Sequence, residues 1–542
     1  MSGSGGKKME PKQMMLLGDE GIAMAAIHSG ISAAYAYPGT PATEIQEAIQ
    51  RYVAAFPDCG IIARWNINEK VALEAGVGAS LIGLRSLVTF KHVGLNVAAD
   101  PFMSAMITGA GGGLVIAPAD DPGMHSSQNE QDSRFYAMFA QIPCFEPVSA
   151  QDAYDLTREA FEFSEKAELP VMVRSVTRLS HTRSLVKFAP AREKNKMTLP
   201  SDYKRWTVLP SNARAQYQRL LDKQPKFVEW SNNHSSNILH IENGASVCVI
   251  ASGLGYNYFM ECMENAGGGF KPSYLRIATY PLPEKKINEL LKNVSTLVVI
   301  EEGCPLVERS IWKNIVASGK KIEVKGKLTG TLPQAGELNA DIVRVALGLA
   351  DIKPKGENVS DLLRDRPPQL CKGCPHCDTF KALNAALEGE KNRSVFSDIG
   401  CYTLGFYPPY EAINSCLCMG ASISMAKAAG ENGLKYSVGV IGDSTFNHSG
   451  ITPLLEGVKQ KTPFTTIILD NSTTAMTGGQ ETLCIGKELE DLILGMGLSR
   501  EHLRVIEALP KNHEANTKVI KEELDHKGPS VIIAKRECLQ IK

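Results

Sequence analysis

Two short turns carry the residues best suited to chemistry, Gly442-Asp443-Ser444 and Asp470-Asn471, with Thr473 just beyond the second. Each turn follows a brief apolar run, Ser437–Ile441 and Phe464–Leu469, that reads as a buried parallel strand. An amphipathic helical stretch over Gly450–Lys459 lies between them. A β-α-β unit of this kind sets both turns at the carboxyl ends of neighbouring strands, where open α/β sheets bind ligands. Asp443 and Asn471 can then meet at one point. A carboxylate and an amide oxygen together suit a hard cation such as Mg²⁺, which keeps few protein ligands and completes its octahedron with phosphate oxygens and water. The anion so served is a diphosphate: Gly442 lets the backbone approach it, and the helix start beyond Asp443 offers free N–H groups. Taken singly, GDS is a strand-to-helix turn and Asn471 a turn former. The chemistry comes from the combination.

Sulfur supplies a second set of candidate ligands. Cys371-Lys372-Gly373-Cys374 is followed by Cys377 at a further C-x-x-C spacing. In a reduced compartment that spacing suits zinc, a redox pair or an iron–sulfur cluster. Cys401 lies at the end of the short strand Ser394–Asp398, Cys416 and Cys418 lie in NSCLCMG, and Cys538 follows the closing strand Ser530–Ala534. Strand ends of one parallel sheet gather on one edge, so Cys401 and Cys538 can reach the pole that holds Asp443 and Asn471. Four thiolates there would serve an electron acceptor better than a remote structural zinc, and a four-iron four-sulfur cluster is the expectation.

The elements that must position these groups alternate as in α/β proteins. A helical pattern over Glu20–Gly30 leads into a strand at Ala33–Tyr37, which stops at Pro38-Gly39-Thr40-Pro41. A helix over Glu44–Ala55, a strand around Ile61–Arg64 and a small-residue helix over Asn68–Ile82 follow, with further strands at Ser86–Phe90, Gly113–Ala117 and Val171–Arg174. The small residues along Val71–Ser80 imply close packing, either across a dimer interface or inside one subunit. Between Thr182 and Glu242 periodicity fails; the segment is polar, basic and proline-broken, and reads as a linker that wraps the surface. A second α/β set begins at Ala245–Ala251 and runs through Thr296–Glu301 to about Ala350. Its turn Ser252-Gly253-Leu254-Gly255 lacks the full spacing of a nucleotide fingerprint. The charged, proline-rich stretch Asp351–Pro368 is a second boundary.

At 542 residues the chain exceeds what one core supports, and three domains are expected. With 43% hydrophobic and 22% charged residues the composition is that of a soluble globular protein. A net charge of −1 leaves no electrostatic reason to expect nucleic acid. The most apolar stretch, Gly21–Tyr37, is interrupted by His28, Ser29, Gly30 and Ser32 and does not read as a membrane span. The start, MSGSGGKKMEP, has no cleavable apolar core and reads as a floppy tail. Thirteen cysteines without an export signal point to reduced thiols or metal ligands, with the cytoplasm as the expected compartment.

The stretches AYPGTPATEI, NEKVALEAGVGASL, KHVGLNVAADP, DDPGMHSSQNEQDSR, LCKGCPH, SDIGCYTLG, CLCMGASI, VIGDSTFNHSG and LDNSTTAMTGGQ stand here in that order. By them the chain resembles, over nearly its whole length, the alpha subunits of indolepyruvate ferredoxin oxidoreductases, which are 2-oxoacid oxidoreductases dependent on thiamine diphosphate (ThDP). The resemblance implies three doubly wound α/β domains. After a tail at 1–12, a ThDP pyrimidine-binding domain covers 13–185 and a linker 186–242. A transketolase C-terminal-like domain covers 243–350, a linker 351–368, and a ThDP diphosphate-binding domain with the iron–sulfur cysteines 369–542. The chain departs from the family twice. Members commonly end in a ferredoxin-like domain with repeated cysteine runs, whereas this chain stops at Lys542, so electrons are expected to leave through another polypeptide. Cys377 stands where the family pattern CPHR has arginine, which leaves open whether it replaces another cluster ligand.

The resemblance also implies roles. Asp443, Asn471 and Thr473 would hold Mg²⁺, and Cys371, Cys374, Cys401 and Cys538 the 4Fe-4S cluster. Gly400, Cys401, Met419, Gly442, Asp443, Ser444, Asn471, Thr473, Ala475 and Met476 would line ThDP, with Met419 as an apolar wedge. Glu69 would be the carboxylate that activates the pyrimidine ring, Glu74 being the weaker candidate on another helix face. Thr40 and Arg134 match positions that hold the substrate carboxylate in pyruvate-type relatives, and an arginine fork suits that task; a surface salt bridge is the alternative for Arg134. His92 and His448 are candidates for proton handling. The implied reaction is oxidative decarboxylation of an aryl 2-oxoacid of the indolepyruvate or phenylpyruvate type, with coenzyme A as co-substrate. Electrons would pass through the cluster to ferredoxin or an iron–sulfur electron-transfer subunit. A smaller beta subunit in a dimer of heterodimers is the implied assembly. Two alternatives stand beside this: a non-redox ThDP decarboxylase, which needs no cysteine constellation, and a catalytically silent scaffold subunit.

Overall fold

Strands covered on both faces read as unbroken apolar runs, and Ser86–Lys91 and Leu114–Asp120 are buried at every residue. The computed structural model describes residues 12–349 and 368–541, and the chain divides into two units, Met1–Glu357 and Asn358–Lys542. The tail before Lys12 and the boundary 351–367 lie outside the described residues.

In the first unit the main sheet runs in the order Thr279–Tyr280, Cys144–Phe145, Val171–Val173, Leu114–Asp120, Ser86–Lys91, Ala33–Ala36, Ile62–Trp65. All neighbours are parallel except the first pair. The helix Glu69–Leu81 is capped by Asn68, whose Oδ1 accepts the Val71 N–H at 2.9 Å. Its small residues serve a contact inside the unit: a Cβ at Gly76 would collide with Val88, and Ser80 Oγ donates to the Gly112 carbonyl at 2.6 Å.

Two expectations are corrected here. The segment 186–242 is not a surface wrap, because it holds a helix of 24 residues, Pro210–Asn233, with Pro225 inside it. Leu220 and Phe227 are buried, and Trp230 packs on Phe163 and Phe145 at centroid distances of 4.3 and 5.3 Å. Tertiary burial of that stripe holds the helix despite the proline and its mostly polar sequence. Nor does the block after 243 stand apart. Its sheet, in the order Leu239–His240, Ser273–Ile277, Val247–Ser252, Thr296–Ile300, Glu323–Lys325, shares one hydrophobic core with the main sheet and lends it the edge strand Thr279–Tyr280. The GLG turn serves packing there: a Cβ at Gly253 would stand 2.6 Å from Glu146 Oε1, and one at Gly255 2.7 Å from the Ile300 carbonyl.

The second unit holds a parallel sheet in the order Ser415–Cys416, Arg393–Ser397, Tyr436–Gly442, Phe464–Asp470, Pro529–Lys535, Leu503–Glu507, and a small antiparallel pair, Thr473–Thr474 with Gln480–Glu481. Alternate residues feed opposite layers, Val438, Val440, Ile467 and Leu469 one, Ile441, Ile468, Val531 and Ile533 the other. That is the doubly wound arrangement expected. Strand order reverses between Arg393–Ser397 and Tyr436–Gly442, which opens a crevice at their carboxyl ends. Among the described residues no helix is long and apolar enough to cross a membrane.

Candidate active site

At that crevice Asp443 joins the two turns. Its Oδ1 accepts the Ser444 N–H at 2.7 Å, and its Oδ2 accepts the Ser472 N–H at 2.8 Å from the turn after the next strand. Ser472 adopts φ +62°, which swings its N–H toward the carboxylate. Asn471 is buried, its Oδ1 meeting the Thr473 N–H at 3.4 Å, while Thr473 Oγ1 donates to the Gln480 carbonyl at 3.2 Å. Burial pushes Asp443 up to about 7, with Asp470 adding to the rise against the backbone N–H groups. A buried carboxylate so disfavoured as an anion is relieved by a dication. Nearby, Asp398 Oδ1 and Asn447 Oδ1 are buried without a partner, and burial raises Asp398 to about 6. Carboxylate, amide and hydroxyl oxygens form a hard donor set, so the residues fit Mg²⁺ and a diphosphate.

Several of the other expected residues of this unit pack beside these turns. Gly400 and Gly442 leave room for the buried ring of Tyr402; a Cβ on Gly442 would lie 2.7 Å from it. Thr445 Oγ1 donates to the Ile399 carbonyl at 3.1 Å, tying the Asp443 turn to the Cys401 turn. His448 is buried, with Nδ1 2.5 Å from Ser449 Oγ, and Ser449 abuts Gly420, beside the half-buried Met419. Ala475 is half-buried, and Met476 is 60% exposed.

The thiols sort into two groups. Cys401 is pushed up to about 11 by burial and then by Cys538 and Cys371, which face it. Cys374 rises to about 12, by burial first and then by its thiol neighbours Cys377, Cys371 and Cys401. Cys401 thus has Cys371 and Cys538 as neighbours, Cys374 has Cys377, Cys371 and Cys401, and Gln540 Nε2 reaches Cys371 Sγ at 3.9 Å. Cys377, the thiol that acts most on Cys374, also lies against Tyr410 and the Cys371 carbonyl. Cys416 and Cys418 are exposed and face Asp398. The Cys538 N–H donates to the Asn471 carbonyl at 3.1 Å, so the thiol group and the oxygen-ligand turn are hydrogen-bonded neighbours. Thiols brought near one another from these segments have the chemistry that an iron–sulfur cluster takes. No three carboxyl, imidazole or thiol groups among the described residues form a metal-ion site. Neither an ion held by one carboxylate and one amide, nor a cluster whose thiolates sit on separate irons, requires such a group of three.

In the first unit Glu69 starts its helix buried, and Gly94 makes room for it: a Cβ there would stand 2.5 Å from Glu69 Cγ. Glu74 is on the surface, ion-paired with Lys70. His92 is buried and its Nε2 lies 3.3 Å from the Asn129 carbonyl, which assigns the ring proton to Nε2. Its Nδ1 is left as a buried acceptor without a partner, and burial lowers its basicity. The half-buried Thr40 accepts from Ser126 Oγ at 3.2 Å through its carbonyl.

Arg134 does not present a free fork. It is 1% exposed, and its guanidinium is committed to Asp132 (Nε–Oδ1 2.9 Å), Ser252 (3.2 Å), Tyr280 (3.0 Å) and the carbonyls of Glu302 and Cys304 (2.9 and 3.1 Å). Glu301 completes the ion pairing at 3.1 Å. Arg174 lies alongside, bound to Asp120 at 2.7 Å and Glu146 at 2.5 Å. Burial alone would lower Arg134 and raise Asp132, but their mutual attraction wins: Arg134 stays fully charged and Asp132 is held at about 2. Neither expectation holds: the ion pairing is buried, not the surface salt bridge expected, and the guanidinium leaves no donor for a substrate carboxylate. The cation sequence reasoning missed is Lys91, 7% exposed, with Nζ 2.6 Å from the Ser126 carbonyl. Its signal lay in KHVG and SSQN, two of the stretches that carried the resemblance.

Residues 24–250 match the family model described as "Pyruvate flavodoxin/ferredoxin oxidoreductase, thiamine diP-bdg". Residues 398–534 match "Thiamine pyrophosphate enzyme, C-terminal TPP binding domain". The chain is 36% identical to the indolepyruvate oxidoreductase subunit IorA of Methanothermobacter thermautotrophicus, over 98% of this chain and 87% of that one. It is 37% identical to the same subunit of Archaeoglobus fulgidus, over 98% and 87%. Among solved structures, a 2-oxoglutarate:ferredoxin oxidoreductase from Magnetococcus marinus is similar in fold, with TM-score 0.50 and 16% identity over 62% of this chain and 65% of that one.

Proposed function

The chain belongs to the alpha-subunit family of indolepyruvate oxidoreductases, ThDP-dependent 2-oxoacid oxidoreductases, and from that premise we propose that it oxidatively decarboxylates an aryl 2-oxoacid to its acyl-CoA. Electrons leave through a 4Fe-4S cluster on Cys371, Cys374, Cys401 and Cys538. Residues 13–185 are assigned to the ThDP pyrimidine ring, 369–542 to its diphosphate and the cluster, and 243–350 to a transketolase C-terminal-like block. A smaller beta subunit, with ferredoxin or another iron–sulfur carrier as acceptor, and a cytoplasmic location complete the reading.

ThDP, when bound, supplies the carbanion and the electron sink. The chain's own groups supply the rest. Asp443, Asn471 and Thr473 offer the oxygens that would hold Mg²⁺ against the diphosphate, and the raised Asp443 carboxyl is neutralised by that charge. Glu69, held buried against Gly94, is the carboxyl that exchanges a proton with the pyrimidine ring. His92, protonated on Nε2, keeps Nδ1 open to accept a proton; His448 is the corresponding candidate in the second unit. The 3.1 Å bond from the Cys538 N–H to the Asn471 carbonyl carries the redox reading, because a remote structural thiol site has no reason to share a turn with the diphosphate ligands.

Anaerobic purification followed by iron and sulfide analysis, and a panel of aryl 2-oxoacids with coenzyme A and a reducible dye, tests this. Iron and sulfide in equal amounts, with coenzyme A-dependent dye reduction by aryl substrates, is expected. Turnover without iron would favour the non-redox decarboxylase, and absence of turnover with every 2-oxoacid the scaffold.

A further inference from the structure

We infer that Lys91 receives the carboxylate of the 2-oxoacid and thereby selects acids over neutral ketones. This rests on the reading just given and assigns the task that Arg134 cannot perform. Lys91 is the last residue of the strand Ser86–Lys91, between the strand ends that lead to Thr40 on one side and to Asp121–Ser127 on the other. Its stem lies on Gly39, where a Cβ would stand 3.1 Å away, and its Nζ donates to the Ser126 carbonyl at 2.6 Å and to Ser126 Oγ at 3.3 Å. Ser126 Oγ in turn reaches the Thr40 carbonyl. An ammonium has three N–H donors, and the third has no acceptor among the described residues.

Charge tells the same story. Asp121 is the carboxylate that acts on Lys91, yet it stands outside ion-pair range and is occupied by the Ser126 N–H (2.8 Å), Ser127 Oγ (2.5 Å) and Thr177 Oγ1 (2.7 Å). The other titratable neighbour is His92, whose basicity Lys91 lowers. A nearly buried cation without a counter-ion is costly. Burial accordingly draws Lys91 down to about 8, only partly opposed by Asp121. The missing partner has the charge of a carboxylate, and the niche lies at a strand end where α/β sheets take ligands.

The purified, ThDP-loaded assembly is assayed as wild type, Lys91→Met and Lys91→Arg. For each, kcat and KM are measured for an aryl 2-oxoacid, with the inhibition constant of the aryl methyl ketone that lacks the carboxylate, and bound ThDP. Lys91→Met is expected to raise KM about 10- to 100-fold, leaving ketone inhibition and ThDP content unchanged, and Lys91→Arg to recover most of the loss. An unchanged KM, or equal weakening of acid and ketone, overturns the assignment. Should Lys91→Met fail to hold ThDP, the wild-type pH profile decides: kcat/KM for the acid falls as pH rises past about 8 while ketone inhibition stays level, and a common profile overturns it. Wild type that turns over no 2-oxoacid overturns the parent reading instead.

Discussion

Arg134 with Arg174, and Asp443 with Asp470, are charged pairs buried near strand ends, and the chain treats them in opposite ways. Around the arginines every charge is answered from within: Asp120, Asp132, Glu146 and Glu301 surround them, and Asp132 is held at about 2. Around Asp443 the neighbour is another carboxylate, the remaining groups are neutral N–H donors, and the carboxyl is driven up to about 7. Both arrangements cost desolvation. A buried charge balanced by the fold fastens elements together, whereas one the fold leaves unbalanced suits a ligand of opposite charge. Lys91 falls on the second side of this division, although it lies in the same unit as the arginines.

Asp443→Ala should have the largest effect. Removing an unbalanced acid costs the fold little, so the denaturation midpoint should stay near wild type while bound ThDP and turnover fall below detection; a variant that retains both would place Asp443 with the structural charges. Glu69→Gln should lower kcat about 10²- to 10⁴-fold with ThDP still bound, and near-wild-type kcat would remove it as the pyrimidine partner. Arg134→Met leaves Asp132 and Glu301 buried without their cation and should destabilise the protein by about 3–5 kcal/mol in denaturant titration. A fully stable Arg134→Met with a raised KM for the 2-oxoacid would collapse the comparison.

The smallest effect is a gain. The folded-state value of Lys91, about 8, lies below its ordinary 10.5. The unfolded chain therefore holds a proton that the folded chain releases between those values, so the contribution of Lys91 to stability is fully present above 10.5 and is lost as pH falls through about 8. Lys91→Met should accordingly stabilise the ligand-free protein at pH 7 by up to ~3 kcal/mol, less the loss of its bonds to Ser126. The gain should narrow as pH rises from 8 toward 10.5. Equal destabilisation at every pH would mean that Lys91 is a structural tie.

The parallel strands of the second unit and the turns that close them were legible because the chemistry is local. Residues buried on both faces make unbroken apolar runs, and a glycine, an acid and an amide at their ends declare the turn. The thiol set was legible in part: C-x-x-C is a spacing, but that Cys371 and Cys538 come beside Cys401, and Cys377 beside both Cys374 and Tyr410, depends on how the chain folds. The helix Pro210–Asn233 was hidden because its apolar stripe is narrow and interrupted by Pro225, and only packing beneath Trp230 makes it pay.

What the residues determine by themselves is the fold class and the turns that carry oxygen and sulfur side chains, since each follows from side-chain type at short range. Which cation is bound and which is open was decided by tertiary structure alone. Arg134 finds its acceptors at Ser252, Tyr280, Glu302 and Cys304, more than a hundred residues away, while among the described residues Lys91 Nζ hydrogen-bonds to the oxygens of Ser126 alone. The interaction energy of a charge depends on the distances to its neighbours in space, and sequence order does not encode them.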